Sequence, residues 1–391
     1  MILNHARLPI PTLPRRFLNG IWVIIPSLPL WCRTVHRVLT RGVWYDATAP
    51  RRVNAIRRNI ARNSIWRSQI SKRSSCAESR ETGYPTDQGR RGILLINPTE
   101  REMYLGVQGL MLKDLNEVTE ATMTNIRDHG FTGAACRYLE EPLETTESDA
   151  KRLREIMNVG GVNPCQTAPQ HPDLIDPDPD KRAKGVWAMQ LMCKVARWLG
   201  GDNLYVRSGR VHPNGSWYAH PDNYKPETFE TLVYSLKRVC EAAESEGTML
   251  AIEDHTLSIL DTPERIAELI EVVGSDTLRF NMDPVNFVGS VPEAFSTTEL
   301  IDYLFDVLGC YTICGHAKDL FLQDRLVLHV EETVIGQGIV DNARYLQRSE
   351  EACPCGFVQI EHLPDDQIPA ARKALYEIGI EAGVEWLDID A

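Results

Sequence analysis

Four side chains of the kinds that bind metals and transfer protons each stand at the end of a short apolar run. The sequence places Glu253 at the end of "TMLAIE", Asp283 at the end of "LRFNMD", His316 after "YTICG" and Glu361 at the end of "GFVQIE". Apolar runs of this length favour buried strands, where acidic side chains are rare unless they are paired or bind a metal. The four positions are 30, 33 and 45 residues apart, and each interval fits one strand–helix repeat.

The chemistry of such a set follows from the repulsion between its carboxylates. Carboxylates packed in a pocket of low dielectric raise one another's pKa and repel one another, and a divalent cation removes that cost. Three oxygen donors and one imidazole suit Mn²⁺ best, with Mg²⁺, Co²⁺ or Zn²⁺ as alternatives. Taken singly, Glu253 could cap a helix, Asp283 could begin a turn and His316 could be structural. Their joint placement favours one bound metal ion.

The elements that carry these residues repeat regularly from about residue 102 onward. Apolar runs predict strands at 103–109, 131–139, 160–168, 203–209, 248–254, 278–284, 311–319 and 356–362. Amphipathic segments predict helices at 115–130, 147–158, 180–201, 226–247, 262–274, 294–308, 340–350 and 367–382. Strands that alternate with helices in this way are parallel and are joined by right-handed crossovers.

A closed (β/α)8 TIM barrel over 93–391 is the simplest arrangement of these repeats. An open, doubly wound sheet is the alternative, and it is disfavoured because no GxGxxG turn follows the first strand, where "GVQGLML" stands instead. In a parallel barrel the active site lies at the C-terminal ends of the strands. The four polar residues are therefore expected to meet at one mouth.

The charge of the chain is divided unevenly between its two parts. Residues 1–92 hold 17 Lys and Arg against 4 Asp and Glu, whereas 93–391 hold 25 against 50 and carry a net charge of −25. An acidic barrel repels nucleic acid, so we expect small neutral ligands or a divalent cation as its partners. The ten cysteines contain no CxxC pair, which favours a reducing, cytoplasmic location.

The Arg-rich segment 1–92 has three interpretations. It is expected to be a dispensable, disordered extension, or an organelle-targeting segment, since Arg and Ser enrichment with few acids is typical of transit peptides. A nucleic-acid-binding arm is the third and weakest interpretation. The apolar stretch 20–31 holds two prolines and is too short to span a bilayer, so no membrane partner is expected.

The segments "AIEDH", "NMDPVNF", "GHAKD" and "QIEHL", in this order and spacing, resemble the xylose-isomerase-like TIM barrel superfamily. This is the sugar phosphate isomerase/epimerase family, which includes ketose 3-epimerases and inosose dehydratase. The resemblance covers 103–385 and implies that Glu253, Asp283, His316 and Glu361 bind the metal. It also implies that Glu253 and Glu361 are the acid and base that move a proton through an enediolate.

Four further residues are predicted to bind substrate. His255 would point to the same side of the chain as Glu253, and Arg207 ends the fourth predicted strand. Asn286 stands where the resemblance implies a substrate-orienting histidine in ketose 3-epimerases. Lys318 belongs to "HAKD", which is similar to the HxKD motif of inosose-dehydratase-like members. Leu322 replaces an arginine implied for the 3-epimerases, so Asn286 and Leu322 both count against that activity.

The sequence leaves several functions open. A metal-dependent isomerase or epimerase is the leading hypothesis, and an inosose-dehydratase-like lyase on the same metal site is its close rival. An endonuclease-IV-like nuclease would need many more histidines and a less acidic barrel, and a non-catalytic barrel is disfavoured by the intact set of ligands. A homo-oligomer is compatible with the sequence.

Overall fold

The computed structural model describes residues 15–18, 21–24, 37–40, 43–46, 102–138, 145–170 and 173–387. The chain divides into two compact units, Met1–Tyr84 and Pro85–Ala391. The boundary between 92 and 93, which we predict from composition, stays a prediction.

The first unit contains two antiparallel hairpins among its described residues. Arg15–Leu18 pairs with Ile21–Ile24, and Arg37–Thr40 pairs with Val43–Asp46. The sequence did not predict these strands. We expect 1–92 to be disordered or to direct the chain to an organelle. Apart from the strands of these two hairpins, the residues of this segment lie outside the described part of the chain.

The second unit is a closed barrel of eight parallel strands, as the sequence predicts. The barrel strands are β1 Tyr104–Val107, β2 Gly133–Tyr138, β3 Asn163–Pro169, β4 Leu204–Val206, β5 Leu250–Ile252, β6 Leu278–Met282, β7 Thr312–Ala317 and β8 Phe357–Ile360. Each strand pairs with the next, and β8 closes on β1 through Phe357 opposite Tyr104 and Ile360 opposite Val107. All eight C-terminal ends therefore meet at one mouth.

Longer helices follow the strands and cover the barrel. These are α1 Glu120–Asp128, α2 Glu147–Val159, α3 Pro179–Leu199, α4 Pro226–Glu246, α5 Pro263–Val273, α6 Thr297–Leu308, α7 Asn342–Ala352 and α8 Ile368–Ala382. The Asp178 side chain caps α3 and the Thr262 side chain caps α5, each before a proline in the first turn. Among the described residues, no helix is long and apolar enough to cross a membrane.

A short hairpin stands on the mouth directly after β7. Its strands, Asp319–Leu322 and Val330–Thr333, are antiparallel, and we call it the mouth hairpin. Buried Asp319 accepts four backbone N–H groups, those of Leu320, Gly336, Gly338 and Val340, at 2.9–3.0 Å. The Asp319 carboxylate thus fixes the chain between β7 and α7. The sequence predicted 311–319 as one strand and did not predict the hairpin.

The apolar core lies between the barrel and its helices, whereas the inside of the barrel is largely polar. Side chains such as Ile252, Met282 and Val358 are buried in the core. Amide side chains from several strands fill the interior and are fully or almost fully buried, namely Gln108, Gln166, Asn203, Asn281 and Gln359. A polar interior of this kind requires a complete set of hydrogen bonds.

Gly315 in β7 is required by the close approach of the neighbouring elements. A Cβ atom at this position would meet the Tyr345 hydroxyl and would lie 2.8 Å from the Met282 carbonyl oxygen. Because Met282 precedes Asp283, we expect Gly315→Ala to lower the free energy of unfolding by about 1–3 kcal/mol through overpacking. The measurement is urea denaturation. The control is Gly309→Ala, where an added Cβ makes ordinary contacts at 3.7–3.9 Å; equal stability of the two variants would contradict the expectation.

Candidate metal centre

The structure brings the four strand-end residues of the second half together at the mouth. Glu253, Asp283, His316 and Glu361 each offer one ligand atom, and these atoms all lie within 4.8 Å of one another. We call these four residues the mouth cluster. Glu253 follows β5, Asp283 follows β6, His316 lies in β7 and Glu361 follows β8, so consecutive strands supply them.

The donors of the mouth cluster fit a divalent cation. Their ligand-type atoms lie close to one another and to Lys318: His316 Nδ1 is 3.1 Å from Glu361 Oε2, and Asp283 Oδ2 is 2.7 Å from Lys318 Nζ. The side chains of Asp283 and His316 are at most 1% exposed and that of Glu361 is 9% exposed. Buried carboxylates this close repel one another, and the charges of His316 and Lys318 offset part of that repulsion. The convergence of three carboxylates and one imidazole is what a hard divalent ion requires.

An amide network beneath the cluster fixes the orientation of His316. His316 Nε2 lies 3.3 Å from Gln166 Oε1 and 3.2 Å from Gln108 Nε2. Gln108 also donates to the side-chain oxygens of Gln166 and Gln359, each at 2.8 Å. Because Gln108 uses its amide hydrogens in these bonds, Gln166 is the acceptor for a proton on His316 Nε2. This arrangement leaves Nδ1 directed at the carboxylates, as a second layer does around metal-binding histidines.

The Glu253 carboxylate is held by donors on several sides. The Asn281 amide donates to Oε2, the Asn286 amide donates to Oε1 at 2.8 Å, and the Tyr205 hydroxyl donates to Oε1 at 3.4 Å. His316 Nδ1 lies 2.7 Å from Oε2. These bonds hold the carboxylate in one orientation and favour its charged form.

Lys318 places a cation inside the mouth cluster. Its Nζ lies 2.7 Å from Asp283 Oδ2 and 3.0 Å from Glu361 Oε2, so it forms ion pairs with two of the ligand-type oxygens. Nζ also donates to Asn286 Oδ1 at 3.3 Å. We predicted Lys318 and Asn286 as substrate-binding residues, and the structure places both against the cluster. That they bind substrate stays a prediction.

The electrostatics of the cluster follow from burial and from opposed charges. Burial alone would lower the pKa of His316, but the Glu361 and Glu253 charges outweigh it and raise the pKa to about 10. Burial raises the pKa of Asp283 to about 6, although Lys318 opposes this change. Burial would also raise the pKa of Glu361, but the His316 and Lys318 charges hold it well below its usual range. The cluster therefore carries two cations and ionised glutamates near neutral pH.

A second group of side chains lies at the mouth beside β4 and β5. The Arg207 guanidinium carbon lies 3.5 Å from the centre of the Trp217 ring, and the His255 ring stacks on Trp217 at 4.8 Å. Burial, reinforced by the Arg207 charge, lowers the pKa of His255 to about 4. Burial raises the pKa of Asp254 to about 6. His255 and Arg207 were predicted to bind substrate, and no contact described here tests that role.

Sequence reasoning missed several residues of the site. Glu332 of the mouth hairpin lies 3.0 Å from His362 Nδ1, and His362 Nε2 lies 3.5 Å from Glu361 Oε1. His362 has φ of 62°, a left-handed conformation that is costly outside glycine and clusters at functional sites. The interior amides were also missed, although polar residues inside otherwise apolar strands were visible in "CQT" and "RFNM".

A phosphate site at "GQG" (336–338) is also suggested by the sequence, because exposed backbone N–H groups there could hold an anion. The structure contradicts this interpretation. The N–H groups of Gly336 and Gly338 donate to Asp319 Oδ2 at 2.9 and 3.0 Å. Since a carboxylate of the chain itself occupies these donors, they do not face a ligand.

Comparisons with known proteins identify the same architecture. Residues 123–382 match the model of the family described as Xylose isomerase-like TIM barrel. A search of curated proteins found no match.

Solved structures are similar over most of the chain. A xylose isomerase-like TIM barrel protein from Mycobacterium smegmatis in complex with magnesium has 13% identity and a TM-score of 0.56, and the match covers 71% of this chain and 96% of that one. A D-tagatose 3-epimerase-like protein has 20% identity and a TM-score of 0.55, over 72% and 98%. The probable 3-DHS dehydratase AsbF from Bacillus anthracis has 15% identity and a TM-score of 0.54, over 70% and 99%. At these sequence identities, the similarity shows a shared fold and no more.

Metal binding to the mouth cluster should release protons. A metal ion binds neutral imidazole and ionised carboxylate, whereas His316 keeps its proton up to a pKa of about 10. Between about pH 6 and about pH 10 we therefore expect one proton released per ion, and affinity should rise with pH. Below the Asp283 pKa of about 6 a second proton should be released. Calorimetry of Mn²⁺ binding in buffers of different ionisation enthalpy measures this number, and a pH-independent affinity would contradict the expectation.

Lys318 should weaken metal binding, because its ammonium group lies beside the same oxygens. We expect Lys318→Met to raise the affinity for Mn²⁺ by about tenfold or more, since a unit charge a few ångströms from the ion is removed. Lys373→Met is the matched control, because Lys373 is exposed and pairs with Glu377 on α8. Unchanged or weaker Mn²⁺ binding in Lys318→Met, measured by calorimetry, would show that the ammonium does not compete.

Proposed function

The chain belongs to the xylose isomerase-like TIM barrel family, and from that premise we propose that it is a divalent-metal-dependent isomerase or epimerase of a small sugar or polyol derivative. The observation that carries the proposal is the mouth cluster, in which three carboxylates and one imidazole converge within 4.8 Å. Among the similar structures are proteins named as epimerases and one in complex with magnesium. Mn²⁺ or Mg²⁺ is the cofactor that we assign to the cluster.

Glu253 and Glu361 are the proposed acid and base. Both carboxylates lie close to His316 Nδ1, at 2.7 and 3.1 Å, so they approach the centre of the cluster from different strands. Inversion of a carbon centre requires one group to remove a proton from one face and another to return a proton to the opposite face. We assign these two parts to the Glu253 and Glu361 carboxylates.

Other residues of the site are proposed to orient the Glu253 carboxylate and to bind the substrate. When bound, the metal ion would polarise a substrate carbonyl and stabilise the charge of an enediolate. The Asn281 and Asn286 amides hold Glu253 in place, and Lys318 offers its ammonium to the negative charge that develops on substrate oxygen. Trp217 lies beside the mouth in contact with Arg207 and His255.

A dehydratase on the same cluster is the second candidate. Lys318 lies 2.7 Å from Asp283 and 3.0 Å from Glu361, where an ammonium could also support the loss of a β-hydroxyl from an enolate. A probable dehydratase is among the similar structures. Incubation with ketoses and inososes in deuterated water separates the two reactions. Deuterium in the substrate without loss of water supports epimerisation, and loss of water supports elimination.

Glu253→Gln tests the proposed role of this carboxylate. We expect turnover to fall by roughly 10²–10⁴-fold at saturating Mn²⁺, because an amide cannot accept or return the proton. The measurement is deuterium exchange into the substrate by mass spectrometry, with circular dichroism to confirm the fold. The control is Glu268→Gln, on the exposed surface of α5. Near-normal exchange in Glu253→Gln would refute this assignment, and no exchange by the native chain on any ketose or inosose would refute the proposed function.

A further inference from the structure

Arg207 is a buried cation with unsatisfied hydrogen-bond donors. Its residue surface is 2% exposed, and its Nε and Nη1 atoms are buried without a hydrogen-bond partner. The Arg207 charge opposes the rise that burial causes in the pKa of neighbouring Asp254, but the Asp254 carboxylate takes its side-chain hydrogen bonds from Ser208 and Ser258. Buried polar groups in native proteins are normally hydrogen-bonded, so an acceptor for these two N–H groups is missing.

The guanidinium of Arg207 is directed at the end of the barrel that holds the mouth cluster. Val206 in β4 pairs with Ile252 in β5, and the Glu253 backbone N–H donates to the Val206 carbonyl at 3.0 Å, so Arg207 and Glu253 follow paired positions. Tyr205 points inward, because its hydroxyl donates to Glu253. Side chains two residues apart on a strand share a face, which places Arg207 above Tyr205, at the mouth.

The surroundings of Arg207 form one side of a binding site. Trp217 stacks on the guanidinium at 3.5 Å, which holds its plane. His255 stacks on the same ring, and its Nδ1 accepts the Leu257 N–H at 3.1 Å. The Nε and Nη1 groups of Arg207 are thus left for an acceptor that the chain does not supply.

We propose that Arg207 binds a carboxylate of the substrate, so that the substrate is an acidic sugar or polyol derivative and not a neutral one. The inference rests on the proposed function and adds the substrate class to it. The Nε and Nη1 atoms of Arg207 have no acceptor in the chain, and a carboxylate can accept hydrogen bonds from a guanidinium in a bidentate arrangement.

A carboxylate suits this site better than a phosphate. A phosphate carries about two negative charges and is usually held by several backbone N–H groups at a glycine-rich turn or helix N-terminus. Here the N–H groups of Gly336 and Gly338 are occupied by Asp319. The planar guanidinium of Arg207 matches a planar carboxylate.

Matched pairs of sugars test the inference by calorimetry on the full chain loaded with Mn²⁺. D-Fructuronate is compared with D-fructose, and D-glucuronate with D-glucose, because each acid differs from its partner in one oxidised carbon. We expect at least one acid to bind about tenfold more tightly than its partner or better. Equal binding within both pairs, or no measurable binding of either acid, would overturn the proposal. Tighter binding of D-fructose 6-phosphate than of D-fructuronate would overturn the choice of carboxylate.

The Arg207→Met variant shows whether this residue is responsible. We expect the preference for the acid to fall to about twofold or less while the Mn²⁺ affinity is retained. An arginine that only supports the structure would, on substitution, weaken the binding of the acid and of its neutral partner alike.

Arg210→Met is the matched control. Arg210 stands three residues further along and is already paired, with Nε 2.9 Å from Asp173 Oδ1. Its substitution should leave the preference for the acid unchanged. A preference that survives in Arg207→Met, or disappears equally in both variants, would refute the role of Arg207. Two titrations of the native chain separate this inference from the proposed function. Failure of Mn²⁺ to bind contradicts the metal centre. Absence of a preference for the acids, in sugar titrations repeated without metal, contradicts the carboxylate site.

Discussion

The structure depends on one electrostatic constraint, the burial of three carboxylates within a few ångströms at the barrel mouth. Taking ionised groups out of water costs several kcal/mol each unless opposite charges lie close by. His316 between two glutamates and Lys318 beside Asp283 provide part of that compensation. A divalent cation held by the same four residues would provide the rest. Exchange of the His316 proton for such an ion would couple its binding to proton release.

The polar interior of the barrel follows from the same constraint. Apolar side chains beneath the cluster would leave His316 Nε2 and the inner oxygen of Glu253 without partners. Amides meet this need without adding charge, since each supplies a donor and an acceptor. Gln166 accepts from His316 while its own amide donates to Asn203 at 3.1 Å, so the network continues across strands. The geometry of the mouth cluster is thus supported from below by neutral dipoles that would not compete with a metal ion.

The sequence predicted the barrel and the convergence of the four cluster residues because both follow from periodicity. The C-terminal ends of parallel barrel strands meet at one mouth because of the backbone topology alone. Glu253 and Glu361 could therefore be placed together from the sequence. The position of Lys318 could not be predicted in this way. Its long chain can reach solvent, substrate or cluster, and burial decides between them. The mouth hairpin and the role of Asp319 depend on contacts 17 to 21 residues apart, which no local pattern specifies.

The two buried cations at the mouth, Lys318 and Arg207, differ in whether the chain supplies acceptors for their N–H groups. Lys318 is satisfied by Asp283 and Glu361, and any ion entering the cluster must displace or share those contacts. Arg207 has an aromatic ring on one face and N–H groups without an acceptor. A guanidinium cannot lose its proton in a protein, so these groups remain donors at any working pH. Lys318 therefore lies on the side of the proposed metal site, and the free donors of Arg207 are left for an acceptor that arrives with a ligand.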